Sequence, residues 1–372
     1  LEQRISVWED RGISLNYYDQ ANELKDVKKV EGYKWIKSVP AQALQQTLKD
    51  LEKSFKKFFN SGFGFPKFKK KGQGDSFRLP DAKQFEVARI AKKRGVVDLP
   101  KIGKVFFRQS RNIDGKIKNA TIKKEADGWY ISFCVEKLVE IQTNDNPSVG
   151  IDRGIAQTIA LSDESKVNPS ELRLPVTCNQ LRKKIKALQK RLKNKKKFSE
   201  SWKKIQKRIS SLHARIARIR KDFLHKISSK LAKNHDQVTL EDLKIKNMSK
   251  SARGTVEDPG RNVKAKSGLN REILFQGWGL FAEMLRYKCH WNGSVFTLVK
   301  THMTSRRCSE CLFECKENRR GKVFLFLNCG HKEDADTNAS KNINRAGLAR
   351  RACGDMAVGL IDEARTSNLV LC

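Results

Sequence analysis

The chain has 372 residues, enough for two or three domains with a real core. Its 77 Lys and Arg face 41 Asp and Glu, a formal net charge of +36, which repels itself unless a polyanion neutralises it. The cations run along the whole sequence, which points to nucleic acid rather than to one membrane-facing block, and no apolar run approaches the ~20 residues a bilayer span needs.

Residues 1–62 read as helical. Pro40 stands near a helix start, and Leu44, Leu48, Leu51, Phe55 and Phe58 follow at helical spacing as a core-facing stripe. The stretch "SGFGFPKFKKKGQGDSFRLP" (61–80) breaks that pattern with glycine and proline. Its phenylalanines alternate with cations, which suits base stacking with phosphate contact. A basic loop with its phenylalanines tucked into the core fits equally well. From 75 to 145, "FEVARI", "GVVDLP", "KVFFRQ" and "NATIKKEADGWYISFCVEKLVEI" alternate apolar and polar residues, with turns at Asp114-Gly115 and Asp127-Gly128. Short strands at regular spacing predict a small β-barrel.

Beyond the barrel the pattern changes. "SVGIDRGIAQTIALSD" (148–163) is a strand, a turn at Gly154 and a second strand. Residues 178–234 form two Lys-rich helices as an antiparallel pair, with Leu181, Ile185, Leu188 and Leu192 on one and Ile205, Ile209, Leu212, Ile216 and Ile219 on the other. A strand around "QVTLE" follows, then a polar loop over 253–270. A single helix is expected over 270–291 with Leu274, Trp278, Phe281 and Leu285 on one face, then a strand over 294–302, a helix from about Ala339 and a polar tail over 354–372 that is expected to be disordered. Strands alternating with helices give an α/β domain.

Three carboxylates occupy comparable places. Asp152 lies inside an apolar strand, where an unpaired charge is costly; Glu241 ends another strand; Asp336 precedes a helix. If folding gathers them, their repulsion calls for divalent cations. Mg²⁺ takes oxygen ligands, and two such ions about 4 Å apart can hold a scissile phosphate and activate water. Asp334 competes with Asp336 for this role, and Asp242 with Glu241. The absence of HExxH argues against a zinc hydrolase.

A second cluster is built on sulfur. Nine cysteines, with Cys308, Cys311 and Cys315 grouped and Cys329 close behind, read as intracellular metal binding rather than a disulfide framework. Cys308-x2-Cys311 is a zinc half-site. Phe326 stands where the second pair would have its other cysteine, which leaves Cys329 with His331 or Cys315 to complete the set. A metal-free ribbon with buried cysteines is the alternative.

The ordered motifs "GIDRG", "LEDL", "TS-x2-CS-x-C" and "CG-x3-DAD-x-NAS-x-NI", with the flanking "GFPKFKKKGQGDSFRLP" and "GRNVKAKSGLNREILFQGWG", resemble the TnpB (OrfB) proteins, transposon-encoded RNA-guided DNA nucleases related to the compact type V CRISPR effectors. The resemblance spans roughly residues 15–355. It implies an α/β RuvC (RNase H-like) nuclease domain with Asp152, Glu241 and Asp336 as catalytic, Mg²⁺-binding acids. The D-R-D pattern of the family favours Asp336 over Asp334, and Ala335 stands where Arg is common. It further implies a helical recognition region (1–65), a wedge-type β-barrel (66–146), the nuclease domain in two parts (147–304 and 333–353) and a degenerate zinc-ribbon insertion (305–332) with Cys308, Cys311, Cys329 and His331 as possible Zn²⁺ ligands. Phe65, Lys67, Lys69, Lys70, Lys71, Arg78, Lys264 and Lys266 lie in the stretches that resemble the family and are candidate nucleic-acid contacts. The implied partners are a guide RNA from the transposon end and double-stranded target DNA with a short adjacent motif. A nuclease-inactive, RNA-guided repressor of the same family is the alternative function, although all three acids are present. Family members usually begin with a β-strand and a helix before the point where this chain opens on Leu1, and Leu312 replaces a usual glycine. A cytoplasmic, nucleoid-associated location is expected, with no secretory signal visible.

Overall fold

The computed structural model describes residues 1–141, 143–163, 169–300, 304–315, 317–321, 323–325 and 328–353. Phe326 and the tail over 354–372 lie outside the described residues. The chain forms two compact units, residues 1–138 and the described residues from 139 onward. No helix among the described residues is long and apolar enough to cross a membrane.

The first unit opens with α1 (Glu2–Arg11), α2 (Tyr17–Val27) and α3 (Ala41–Ser61). Asn16 and Asp19 form a reciprocal capping box at the start of α2, and α3 ends at Gly62 with φ 62°. Arg4 is buried, so its guanidinium needs partners; it donates to Gln20 Oε1 at 2.7 Å and Glu52 Oε2 at 2.8 Å. The expected stripe on α3 is half-buried, and only Ala43 and Gln46 on this helix are fully buried.

Six strands follow: β1 (Ser76–Leu79), β2 (Glu86–Ala91), β3 (Arg94–Leu99), β4 (Gly103–Arg108), β5 (Lys116–Glu125) and β6 (Gly128–Glu136). They do not close into the expected barrel. They make two three-stranded antiparallel sheets, β1-β5-β6 and β2-β3-β4, with no ladder joining them among the described residues. Side chains unite them instead. Leu79, Phe85, Val97, Leu99, Ala120 and Phe133 form one core, and the Phe133 ring lies 6.2 Å from Phe85 and 5.6 Å from Phe107. The alternation of residues placed β2 to β6, but which strand edges pair is set by long-range backbone approach that alternation does not report.

The second unit is tied at its start by Asn144, whose amide donates to His235 O at 3.0 Å and Ser294 Oγ at 2.9 Å. Its elements are β7 (Val149–Asp152), β8 (Ala160–Leu161), α4 (Val176–Lys193), α5 (Glu200–Asn234), β9 (Gln237–Glu241), the short α6 (Ile245–Met248), α7 (Val263–Gln276), α8 (Trp278–Trp291), β10 (Val295–Val299), β11 (Arg319–Arg320), β12 (Val323–Leu325), β13 (Lys332–Asp334) and α9 (Ala335–Ala352). The main sheet runs β10-β9-β7-β8, with β7, β9 and β10 parallel and β8 antiparallel to β7. Side chains alternate across a sheet. Val149, Ile151, Val238 and Leu240 therefore join the core built with Phe223, Leu224, Ile227, Phe281 and Leu285 from α5 and α8. Gly150 and Thr239 face the other way, onto α9. Each fully buried Leu or Ile on the first face contributes roughly 1.5–3 kcal/mol. Strands β11, β12 and β13 form a separate small antiparallel sheet.

Two sequence expectations change here. The helix over 270–291 is broken, and α7 begins at Val263, inside the stretch expected to be a loop. The cause of the break is Gly277, whose φ of 75° ends α7 and starts α8. The break resets the helical phase, so Leu274 is 57% exposed while Trp278, Phe281 and Leu285 are buried. The last helix starts at Ala335 rather than Ala339, because Asp334 caps it.

Candidate active site and cysteine cluster

The register of β7 on β9 pairs Val149 with Val238, Gly150 with Thr239 and Ile151 with Leu240. One further step sets Asp152 beside Glu241. Alternation puts both on the face covered by α9, and Asp336 sits in the first turn of α9. Folding thus brings three acids, distant in sequence, to one end of the parallel strands. Burial first, then the negative charges of Glu241 and Asp336, push Asp152 up to about 6. Their ligand atoms are spread more widely than the 4.8 Å cluster that the cysteines form. An all-oxygen donor set whose repulsion Arg153 and Arg319 relieve only in part suits Mg²⁺ chemistry.

Hydrogen bonds fix each acid. Asp152 Oδ1 accepts from the Arg153 N–H at 2.8 Å, Glu241 Oε1 from the Thr304 hydroxyl, and Asp336 Oδ1 from the Arg319 guanidinium at 3.4 Å. The competing acids are otherwise engaged. Asp334 accepts from the N–H groups of Asp336 at 2.9 Å and Thr337 at 3.3 Å as the helix cap. Asp242 is half-buried and pairs with Lys244 at 2.5 Å.

Sequence reasoning passed over three residues of this site. Arg153 is buried, and its guanidinium donates to Glu241 O and, at 3.5 Å, to Trp278 O. Burial draws its pKa down to about 10. The signal was present, since Arg153 follows Asp152 directly in "GIDRG". Thr304 and Arg319 lie 63 and 17 residues from their acids, and nothing local marks them.

The ribbon gathers Cys308, Cys311 and Cys329, with ligand atoms all within 4.8 Å. Cys308 Sγ lies 3.8 Å from Cys329 Sγ and accepts from the N–H groups of Glu310 and Cys311, both at 3.2 Å. Backbone N–H groups aimed at sulfur favour thiolates, as a zinc half-site requires. The turn needs a left-handed residue, and Leu312 holds φ 63° where glycine would be unstrained. Burial pushes Cys308 up to about 11, while the Phe313 N–H helps draw Cys311 down to about 7. His331 lies outside the cluster, with Nε2 3.8 Å from Glu333 Oε2. Cys315 donates instead to Glu317 Oε2 at 2.5 Å.

The ribbon is bound to α9 by two buried amides. Asn338 Oδ1 accepts from Ser309 N at 2.8 Å, and its Nδ2 donates to Arg307 O at 2.9 Å. Asn342 Nδ2 donates to Arg307 O at 2.7 Å and Thr304 O at 3.0 Å.

The basic candidates divide between the units. In the first, Phe65 packs edge-on against Phe55 and Phe58, with centroids at 5.7 and 5.3 Å. Lys67 is exposed nearby. Lys69, Lys70 and Lys71 line an open pocket of about 380 Å³ with Phe77 and Trp129. Arg78 is half-buried on β1. In the second unit, Lys264 is exposed on α7, while Lys266 is spent on Met248 O at 2.6 Å.

Comparisons with known proteins bear on the family and the fold. The family profile OrfB_IS605 ("Probable transposase") matches residues 132–252, and the "Cas12f1-like, TNB domain" matches residues 278–343. "Putative RNA-guided DNA endonuclease InsQ" of Escherichia coli (strain K12) is 42% identical over 346 residues, covering 92% of this chain and 83% of that protein. A "Putative RNA-guided DNA endonuclease" of Streptomyces pristinaespiralis is 28% identical over 366 residues, covering 95% of this chain and 83% of that protein. Among solved structures, the protein of a Cas12f1-sgRNA-target DNA complex superposes with a TM-score of 0.51 at 15% identity, over 91% of this chain and 77% of that one. That likeness establishes a mixed α/β, Cas12f-like fold. With a relative 42% identical over nearly its whole length, the chain belongs to the TnpB (OrfB, IS605) family of RNA-guided DNA endonucleases.

Proposed function

We propose that this protein cuts target DNA under RNA guidance, using Asp152, Glu241 and Asp336 in a RuvC-like domain for two-metal-ion phosphodiester hydrolysis. The observation that supports the reading is the β7–β9 register, which sets Asp152 beside Glu241 at the carboxyl end of two parallel strands with Asp336 in the first turn of α9; burial and these two charges push Asp152 up. Mg²⁺ bound by these three acids would supply the activated water and stabilise the leaving oxygen. The protein's own residues hold the acids for that work. Arg153 pins the end of β9 through Glu241 O, Thr304 orients the Glu241 carboxylate, and Arg319 offsets Asp336.

A guide RNA from the transposon end and double-stranded DNA with a short adjacent motif are the partners this reading requires. Base pairing would supply the sequence specificity, and a chain of +36 would hold the backbone. Residues 1–65 would serve as the recognition region and 66–146 as the wedge, with Phe65, Lys67, Lys69, Lys70, Lys71 and Arg78 facing nucleic acid there and Lys264 in the nuclease part, while Lys266 stays on Met248 O. The test is to incubate the purified protein–RNA complex with matched DNA and Mg²⁺. Cut product is expected with matched DNA and none with mismatched DNA; intact matched DNA would refute the reading.

The cysteine cluster supports a zinc site as a second metal. Purified protein is expected to carry about one zinc per chain, and Cys308→Ala to lower this to a small fraction. Elemental analysis after gel filtration measures it. Equal zinc in both proteins would remove Cys308 from the ligand set, and His331 would then need the same test.

A further inference from the structure

We infer that Gln276 is a positioning residue for the proposed DNA cleavage: its buried amide clamps the turn that begins at Asp152 and so aims that carboxylate at its metal ion. The inference rests on the cleavage reading above and adds to it a residue outside the acid cluster.

The turn needs a clamp. Asp152 pairs with Ala160 as the last step of the β7–β8 ladder, and residues 153–159 adopt neither strand nor helix. Asp152 Oδ1 accepts from the Arg153 N–H at 2.8 Å, so the direction of the turn's first N–H sets the direction of the carboxylate. Ladder bonds do not fix that direction, because they end where the turn starts. The turn is tightly wound: a Cβ on Gly154 would lie 2.6 Å from Gln157 O.

The junction of α7 and α8 supplies the clamp. Gln276, the last residue of α7, is 4% exposed. Its Nε2 donates to Ile155 O at 3.1 Å, and its Oε1 accepts from the Thr158 hydroxyl at 3.1 Å. Thr158 is itself buried, and its Oγ1 accepts from Leu174 N at 3.3 Å, which leaves the hydroxyl proton for Gln276. Two residues on, Trp278 O accepts from the Arg153 guanidinium at 3.5 Å. One short stretch thus holds the turn at Arg153, Ile155 and Thr158. A primary amide suits the central place, since it is neutral and carries a donor and an acceptor together. Glutamate would aim a buried charge at the Ile155 carbonyl.

An unbroken helix could not make this grip. Residues two apart on an α-helix lie about 200° apart around its axis. The left-handed Gly277 between α7 and α8 turns the Gln276 side chain and the Trp278 carbonyl toward the same segment. Arg220 of α5 steadies the break, donating to Phe275 O at 3.1 Å and Leu274 O at 3.4 Å, carbonyls that the end of α7 leaves without helical partners.

The test is Gln276→Met in the full chain, which keeps the length of the side chain and removes both bonds. Two quantities are read: Mn²⁺ binding to the protein by electron paramagnetic resonance, and the rate of matched-DNA cleavage by the protein–RNA complex. Mn²⁺ shares the carboxylate preference of Mg²⁺, and the signal absent from Asp152→Asn defines the ion held by the acids. Groups that orient a metal ligand are typically worth about 10–100-fold, so about tenfold weaker Mn²⁺ binding and about tenfold slower cleavage are expected. Thr158→Val should lose about threefold of each, and Thr158→Ser, which keeps the hydroxyl, should match wild type. Ser228→Ala is the control for stability alone. It removes the buried hydroxyl that Lys288 Nζ meets at 2.8 Å and leaves the clamp intact, so it should lower the unfolding midpoint with both readings unchanged. Values for Gln276→Met within about twofold of wild type overturn the inference. Should that variant fail to fold, the Thr158 pair decides, and equal values for Val and Ser overturn it. Wild-type protein that binds Mn²⁺ yet leaves matched DNA intact would sink the cleavage reading, while the Mn²⁺ affinities would still judge the clamp.

Discussion

Asp152→Asn is expected to end DNA cleavage, by about 10³-fold or more, while making the metal-free protein more stable near neutral pH. The first effect follows from removing an anionic ligand at the centre of the acid cluster, where charge stabilisation of the transition state is concentrated. The second follows from the raised pKa. Asp152 stands at about 6 in the fold against an ordinary 3.8. Its contribution is therefore most favourable below about 4 and is lost as pH rises through about 6. Above that, the ionised carboxylate costs the metal-free fold roughly 1–3 kcal/mol, allowing for its partial exposure to solvent. Asn keeps the hydrogen bond from the Arg153 N–H, since its Oδ1 can still accept, and it carries no charge. Calorimetry of metal-free wild type and variant over about pH 4–8 measures the gap. The variant should lead at pH 7 and converge with wild type toward pH 4. Saturating Mg²⁺ should shrink or reverse the difference, because a cation that binds the native acids stabilises them by mass action. A variant no more stable than wild type at pH 7 would show that Asp152 does not bear the repulsion.

Gly150→Ala should be among the most damaging single substitutions in the second unit, by about 3 kcal/mol or more. A Cβ there would lie 2.1 Å from Ser340 O, 2.4 Å from Asn344 N and 2.8 Å from Asn344 Cα. These are backbone atoms of α9, so no rotamer change can relieve the clash, and the helix carrying Asp336 must move away from β7. Denaturant unfolding would read the loss as a lower midpoint with little change in slope. Gly268→Ala is the matched control. That glycine is in α7 with nothing within 4 Å of its Cβ position, so the change should be neutral or mildly stabilising. Equal stability of wild type and Gly150→Ala would mean that α9 does not pack closely on the sheet.

Much of this architecture was legible in the sequence because periodicity reports local burial. Alternation gave β2 to β6, and the leucine and isoleucine repeats gave the α4–α5 seam. The three acids were legible as strand-end and helix-start residues. What escaped was set by long-range contact or by one backbone angle. Whether the two antiparallel sheets would join depended on which strand edges meet in space, and the break between α7 and α8 on the left-handed Gly277. The choice between Asp334 and Asp336 turned on which side chain the helix start consumes, a distinction two residues wide. Thr304 and Arg319 have no pattern of their own, because their role exists only once the ribbon and the sheet meet.

The two asparagines of α9 give that meeting an evolutionary consequence. The small cysteine-bearing ribbon looks like a detachable appendage, yet Asn338 and Asn342 are 0% and 5% exposed and take their partners from Thr304, Arg307 and Ser309. Trimming the ribbon would strand both amides inside the protein, at a cost of roughly 1–3 kcal/mol for each orphaned group, within two turns of Asp336. A lineage could therefore lose the ribbon's cysteines one by one, but it could not discard the loop that carries them without loosening the helix that carries Asp336.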